Sequence, residues 1–328
     1  MAMLNDDKHG EIYIPDQVYN DWFERKFPED KGAPSSAGYH FYSTFKSCPR
    51  KWYLRYIIGW SPERLAAPLM LGIAIHHAFE RYWKENADLE ATFEGEFDRL
   101  GAAAVDLIKW GVDRKRGQLL LSTWKRTREA AERERYSVVA IEETHTVSMG
   151  DYGFTVRPDI VLYDRDNDRT VIRDTKTTGY SVDATVDSVK NGDQMTAYIW
   201  GWNATHPDQP AEFGLVDVLY NRGSVYRTEQ SDPLYVTRYA QQLFALGMYG
   251  TILDLSYRVE ALDDTPHEML FGRCADMCSR WGCEYLEICR DRIRPGDRAP
   301  RGYVNVPPLE GYNPDLEKLR DQLEVPNV

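Results

Sequence analysis

No stretch of this chain approaches the ~20 consecutive apolar residues needed to span a bilayer, so a membrane-spanning helix is not expected. The opening MAMLNDDKHGEIYIPD is acidic and polar and lacks the basic and apolar blocks of a secretory signal. The expectation is a cytoplasmic protein whose thiols stay reduced. Positive charge is also short. Forty Lys and Arg stand against 52 Asp and Glu, a net charge of −12. That argues against a protein that coats nucleic acid through bulk charge and leaves room only for local patches. No G-x4-G-K-[ST] segment occurs, so the chain carries no nucleotide-driven motor of that type. Internal repeats and low-complexity blocks are missing as well. Cysteine is scarce, with five in 328 residues. They fall in two places, Cys48 alone and then Cys274, Cys278, Cys283 and Cys289. In a reducing compartment such groups are better read as metal or cluster ligands than as disulfides.

What is present reads as a helical first part and a strand-rich middle. A polar lead-in with a short amphipathic piece at Val18–Phe27 precedes the loop GAPSSAG. Ser43 or Thr44 is the expected N-cap of a helix carrying Phe45, Trp52, Tyr53 and Tyr56, ending near Gly59. A second helix is expected from about Leu69 to Glu85. Residues 88–135 read as helical, with a break near Gly111 and Gly117. The pattern then changes to alternation rich in β-branched residues. SVVAIEETHTVSM, FTVRPDIVLYD and TVIRDTKT read as three strands of an antiparallel meander. A helix around Asp193–Asn203, the strand FGLVDVLYNR and a long helix over 233–260 follow, before the cysteines and a Pro-rich, extended end.

Chemistry concentrates on two neighbouring strands. Asp159 and Asp174 are expected on adjacent antiparallel strands with their carboxylates at short range. Such a pair repels unless a cation sits between the two groups. Lys176 shares a face with Asp174, because strand side chains alternate with period two. Asp, then Asp-x-Lys, supplies hard oxygen ligands beside a fixed positive charge, the set that divalent-metal hydrolysis of a phosphodiester uses. The plain alternative is a surface salt bridge in a hairpin. Gln194 and Tyr198 are four apart on one helix face, as a site-lining pair or as a buried amide with a core tyrosine. Glu80 lies one turn after His76, and one of Glu142 and Glu143 faces the site. Two basic groups stand out: Lys46, Arg50, Lys51 and Arg55 among aromatics, and Arg114, Lys115, Arg116, Lys125, Arg126 and Arg128. Each is a nucleic-acid patch or a solvated helix face.

Six short segments in order resemble the PD-(D/E)XK nuclease superfamily, in particular its RecB-like, iron–sulfur branch of AddB-type and CRISPR-associated exonucleases. STFKSCPRKWYLRYIIGW resembles the opening cysteine–proline motif, and LGIAIHHAFERYW the G-x3-H motif with Gly72 and His76. RPDIVLYD resembles the strand of the first acidic ligand, Asp159, and VIRDTKTT the D-x-K-T motif with Asp174, Lys176 and Thr177. GDQMTAYIWGW resembles the Q-x3-Y motif with Gln194 and Tyr198, and GCEYLEICR the final C-x-Y-x3-C with Cys283 and Cys289. The resemblance runs from about 40 to 290.

The resemblance implies an α/β, restriction-endonuclease-like mixed sheet flanked by helices, with a helical N-terminal lobe and a C-terminal iron–sulfur cap. The segments are a lead-in (1–38), a helical lobe with Cys48 and His76 (39–135), a nuclease core (136–230), a C-terminal helix and cysteine cap (231–295) and a tail (296–328). It implies Mn2+ or Mg2+ held by His76, Asp159, Asp174 and the Thr175 carbonyl, with Lys176, Gln194 and Tyr198 completing the catalytic set. Imidazole suits Mn2+ better than Mg2+. It also implies a [4Fe–4S] cluster on Cys48, Cys278, Cys283 and Cys289. Here Cys278-x4-Cys283 is wider than the family's usual C-x2-C, which leaves Cys274 as a competitor. The expected activity is metal-dependent hydrolysis of DNA, as a single-strand exonuclease, with a helicase or recombination partner. Trp52, Tyr53 and Arg55 are then placed to stack on bases. The rival readings are a nucleic-acid-binding module with a vestigial site and a zinc-stabilised structural protein.

Overall fold

The computed structural model describes residues 38–62, 67–101, 107–149, 152–280, 283–290 and 303–305. The amphipathic piece expected at Val18–Phe27 and nearly all of the tail lie outside these residues. The described residues form two compact units. One gathers those of 1–63, 146–155 and 242–328, and the other those of 64–145 and 156–241. Among the described residues no helix is long and apolar enough to cross a membrane.

In chain order, α1 (Tyr39–Ser47), α2 (Pro49–Trp52), a π-helical turn (Tyr53–Ile57) and β1 (Trp60–Pro62) come first. Next are α3 (Ala67–Glu85), α4 (Leu89–Gly101), α5 (Leu107–Thr127) and α6 (Glu129–Arg135). β2 (Tyr136–Ile141), β3 (His145–Met149), β4 (Tyr152–Val156), β5 (Ile160–Asp164) and β6 (Arg169–Thr178) lead to α7 (Val182–Lys190) and α8 (Gln194–Thr205). β7 (Ala211–Arg222), β8 (Val225–Gln230), β9 (Leu234–Tyr235) and α9 (Arg238–Glu260) follow. The last are α10 (His267–Leu270), α11 (Ala275–Arg280), α12 (Leu286–Arg290) and β10 (Tyr303–Asn305).

The second unit is built on a mixed sheet of order β2-β5-β6-β7-β8, with β9 pairing on β7. β2, β5 and β6 run antiparallel, as the meander predicts. β6 and β7 are parallel, because α7 and α8 carry the chain back across the sheet between them. The expected long strands are broken. The first splits at 142–144 into β2 and β3, and the second at 157–159 into β4 and β5; β3 and β4 form a ribbon of their own. Both breaks fall beside site residues. α3 buries Met70, Leu71, Ala74, Ile75, Ala78 and Tyr82 at three- and four-residue spacing. They pack against Phe93 and Phe97 of α4 and Leu120, Leu121 and Trp124 of α5. The expected break at Gly111 and Gly117 is absent, since α5 runs through both. Gly117 instead lets α5 approach Phe93, where a methyl would come within 2.1 Å of Cζ. At Gly201 of α8 a methyl would meet the stiff Val156 side chain at 2.3 Å, so only glycine lets this helix lie where it does.

The first unit joins early and late chain. Trp52 stacks on Phe271 and Tyr53 on both Phe271 and His267. Tyr285 donates its hydroxyl to the Trp60 carbonyl at 2.7 Å, and β1 pairs with β10. α1 begins at Tyr39, ahead of the expected caps. Ser43 and Thr44 bond back to the His40 carbonyl inside the helix rather than capping it. Cys48 closes α1 and caps α2, its Sγ accepting from the Lys51 N–H at 3.5 Å.

Candidate functional site

His76, Glu80 and Trp83 recur at one face of α3 and line a cleft with Glu142, Asp159, Arg173, Thr175 and Asp217. Asp159 lies in the bend that follows Pro158 rather than inside a strand. Its Oδ2 accepts from the Thr175 N–H at 3.1 Å and lies 3.1 Å from His76 Nδ1. Asp174 stands in the middle of β6 rather than at its end, 1% exposed. Lys176 shares its face, as the pleat requires, and donates to Asp174 Oδ1 at 2.9 Å. The same ammonium donates to Gln194 Oε1 at 3.2 Å, and Gln194 Nε2 donates to the Tyr198 hydroxyl at 2.8 Å. The i, i+4 pair on α8 therefore reaches the strand lysine. The Asp159 charge acts on Asp174, and both carboxylates and Lys176 act on His76, so His76, Asp159, Asp174 and Lys176 meet at one place in the second unit.

The electrostatics describe negative charge gathered without enough counter-charge. Burial pushes the Asp174 carboxyl up to about 7, and the Asp159 charge adds to this against Lys176. Burial and then Asp159 also raise Glu142 to about 7. Burial works to raise Asp159 too, but the His76 charge and hydrogen bond, Lys176 and the Thr175 N–H hold it below the usual carboxylate range. Burial disfavours charge on His76, yet Asp159 outweighs it and lifts the imidazole to about 9. His76 thus holds a proton against ionised Asp159. Asp174 Oδ2 makes no well-angled hydrogen bond, although the Lys176 ammonium is 2.8 Å away. Three carboxylates and an imidazole gathered with one lysine between them fit a divalent cation. A histidine nitrogen and one oxygen each from Glu142 and Asp159 lie within 4.8 Å of one another.

The sequence of the PD-(D/E)XK nuclease superfamily, as a family profile, matches residues 40–290, most of the chain. The chain belongs to that superfamily. Proteins of this superfamily are nucleases that use divalent metals, and the acidic site just described lies inside the matched region. No curated protein matches the chain significantly. Among solved structures, a provisionally named exonuclease from Eubacterium rectale is similar at 12% identity, with a TM-score of 0.49. The overlap covers 86% of this chain and 94% of that one. A protein named SSO0001 is similar at 15% identity and a TM-score of 0.27, over 56% of this chain and 84% of that one. Both overlaps are too loose to carry an activity to this nuclease.

Some expectations change. Trp52 and Tyr53 are 0% and 1% exposed, so they fill the core of the first unit and present no stacking surface for bases, whereas Arg55 is exposed. Sequence suggested otherwise because an aromatic and basic helix looks alike whether its rings face solvent or core. Half of the second basic group is paired on helix surfaces: Arg114 with Glu94 and Asp98, Lys125 with Asp88 and Glu90, Arg116 with Asp113. That is the solvated-face reading. Glu80 lines the cleft but is tied to Lys84 at 2.9 Å. Of Glu142 and Glu143, Glu142 faces the cleft and Glu143 is exposed. Missed altogether was a largely buried quartet that reaches the cleft wall. Arg128 meets Asp217 at 2.9 Å, Arg173 meets Asp217 at 3.4 Å, and both arginines pair with Glu132. Its members are scattered over α6, β6, β7 and the residue before α6, so no local spacing announces them.

Proposed function

We propose that this nuclease hydrolyses DNA phosphodiesters, as an exonuclease acting on single strands, with His76, Asp159, Asp174 and the Thr175 carbonyl as metal ligands. The observation that carries the reading is the run Tyr198–Gln194–Lys176–Asp174 set beside the His76–Asp159 pair. Bound Mn2+ or Mg2+ supplies positive charge that polarises a phosphoryl oxygen and makes water a better nucleophile. The chain's own groups do the rest. The Thr175 N–H fixes the Asp159 carboxylate. Gln194, oriented by Tyr198, holds the Lys176 ammonium close to Asp174. From there Lys176 positions the attacking water or stabilises the charge that develops on the phosphate. His76 must shed its proton to solvent before it ligates, so metal loading weakens as pH falls.

The same reading includes a [4Fe–4S] cluster on Cys48, Cys278, Cys283 and Cys289, as in the RecB-like branch. Support comes from the thiols themselves. Burial raises the Cys289 thiol, and Cys278 and Cys48 are near enough to raise it further. Burial raises Cys283 as well, with Cys278 among its neighbours. Soft thiolates from both ends of the chain suit iron–sulfur ligation, and the Lys51 N–H already donates to Cys48 Sγ. The proposal keeps the helical lobe at 39–135, the nuclease core at 136–230 and the cysteine cap at 231–295, in a cytoplasmic protein that a helicase or recombination partner supplies with single strands.

Lys176→Ala is the test. Losing one charge-stabilising group costs on the order of 10²–10³ in turnover, while the carboxylates still bind Mn2+. Single-turnover cleavage of end-labelled single strands, with Mn2+ affinity measured alongside, checks both. Wild-type turnover by Lys176→Ala contradicts the assignment.

A further inference from the structure

We infer that Glu142 is an additional ligand of the metal site, held ready by Arg157 until a cation enters. The inference rests on the nuclease reading and extends its ligand set. β2 and β5 pair in antiparallel register up to Ile141 and Ile160. One step further the Glu142 N–H donates to the Asp159 carbonyl at 3.2 Å. The two acidic residues are therefore cross-strand neighbours. Like charges placed so are destabilising on their own account. The chain nevertheless gives Glu142 a left-handed backbone, φ +49°, at the break between β2 and β3. A long non-glycine side chain adopts that conformation at a cost, and here the cost accompanies a carboxylate turned into the cleft.

The distances suit a shared cation. Two donors each about 2.1 Å from one ion are no more than about 4.2 Å apart. The His76, Glu142 and Asp159 atoms, all within 4.8 Å, need only a small side-chain adjustment to close on it. Arg157 Nε lies 3.2 Å from Glu142 Oε2 and is itself well exposed. Arg157 therefore competes with a cation for Glu142. Glu143, the next residue, points to solvent and supplies an internal control.

The experiment is Mn2+ binding without DNA, followed by the free-ion electron paramagnetic resonance signal, on wild type and variants. Glu142→Gln is expected to raise Kd at least tenfold, and Glu143→Gln to leave it within twofold. Arg157→Gln is expected to tighten binding, an effect that disappears when Glu142 is also Gln. Melting in EDTA reports folding. If Glu142→Gln does not fold, Glu142→Asp, which keeps the charge on a shorter arm, should weaken binding to an intermediate degree. Wild-type affinity in a folded Glu142 variant, with His76→Ala still weakened, overturns this inference and leaves the nuclease reading intact. No Mn2+ binding by the wild type overturns both.

Discussion

Asp174→Ala is expected to abolish metal-dependent cleavage while the protein melts no lower than the wild type. Both halves follow from the environment of one carboxylate. Asp174 is buried beside Asp159, and its carboxyl is raised to about 7, well above its unfolded value. A carboxyl raised in the folded state favours folding fully only below its unfolded pKa, and that contribution is lost as pH rises through about 7. In metal-free protein at pH 8 the ionised group therefore works against the fold, and truncating it removes that cost. Lys176 loses a partner but keeps Gln194 and partial access to water. Catalysis has no such compensation, because the proposed ligand and the partner of the ammonium disappear together. Cleavage of labelled single strands, with melting measured in EDTA at pH 8, checks the pair. Wild-type cleavage rates, or a large fall in melting temperature, contradict the account.

If the proposed cluster is present, Cys48→Ala is expected to destabilise the whole protein and lose it, whereas Cys274→Ala is mild. A cross-link from Cys48 to the C-terminal cysteines closes a very long loop, worth roughly 5 kcal/mol on the loop-entropy model. Much of the first unit depends on this junction of early and late chain. Trp52 and Tyr53 stack on Phe271, Arg50 N–H donates to the Gly272 carbonyl at 3.2 Å, and Lys51 pairs with Glu284 at 2.8 Å. Melting temperature together with iron and sulfide content, after anaerobic purification, separates the two variants. Stoichiometric zinc without sulfide refutes the cluster. Cluster loss in Cys274→Ala but not in Cys278→Ala redraws the ligand set.

The site was legible where local geometry alone decides. Period two in a strand puts Lys176 beside Asp174, and four residues in a helix put Gln194 beside Tyr198; both pairs hydrogen-bond. What local pattern hides is where a regular element stops and which face it buries. Glu142 and Glu143 look interchangeable in an alternating run, and only the left-handed turn at Glu142 selects between them. Ser43 and Thr44 look like caps until their hydroxyls turn inward. Trp52 and Tyr53 look like a stacking platform until late residues, Phe271 above all, cover them. The Arg128–Asp217–Arg173–Glu132 quartet exists only once α6, β6 and β7 are brought together. The antiparallel run β2-β5-β6 follows from the strand pattern, but the parallel β6–β7 pair depends on a crossover that no hairpin signal marks.

The central claim is that this superfamily member cleaves DNA by using a divalent cation at the His76–Asp159–Asp174–Lys176 site. The most direct measurement is incubation of the anaerobically purified wild type with end-labelled single-stranded DNA in Mn2+ and, in parallel, in EDTA. Progressive shortening of the labelled strand in Mn2+ and none in EDTA is the predicted result. An unchanged strand in Mn2+, from protein shown to be folded, contradicts it.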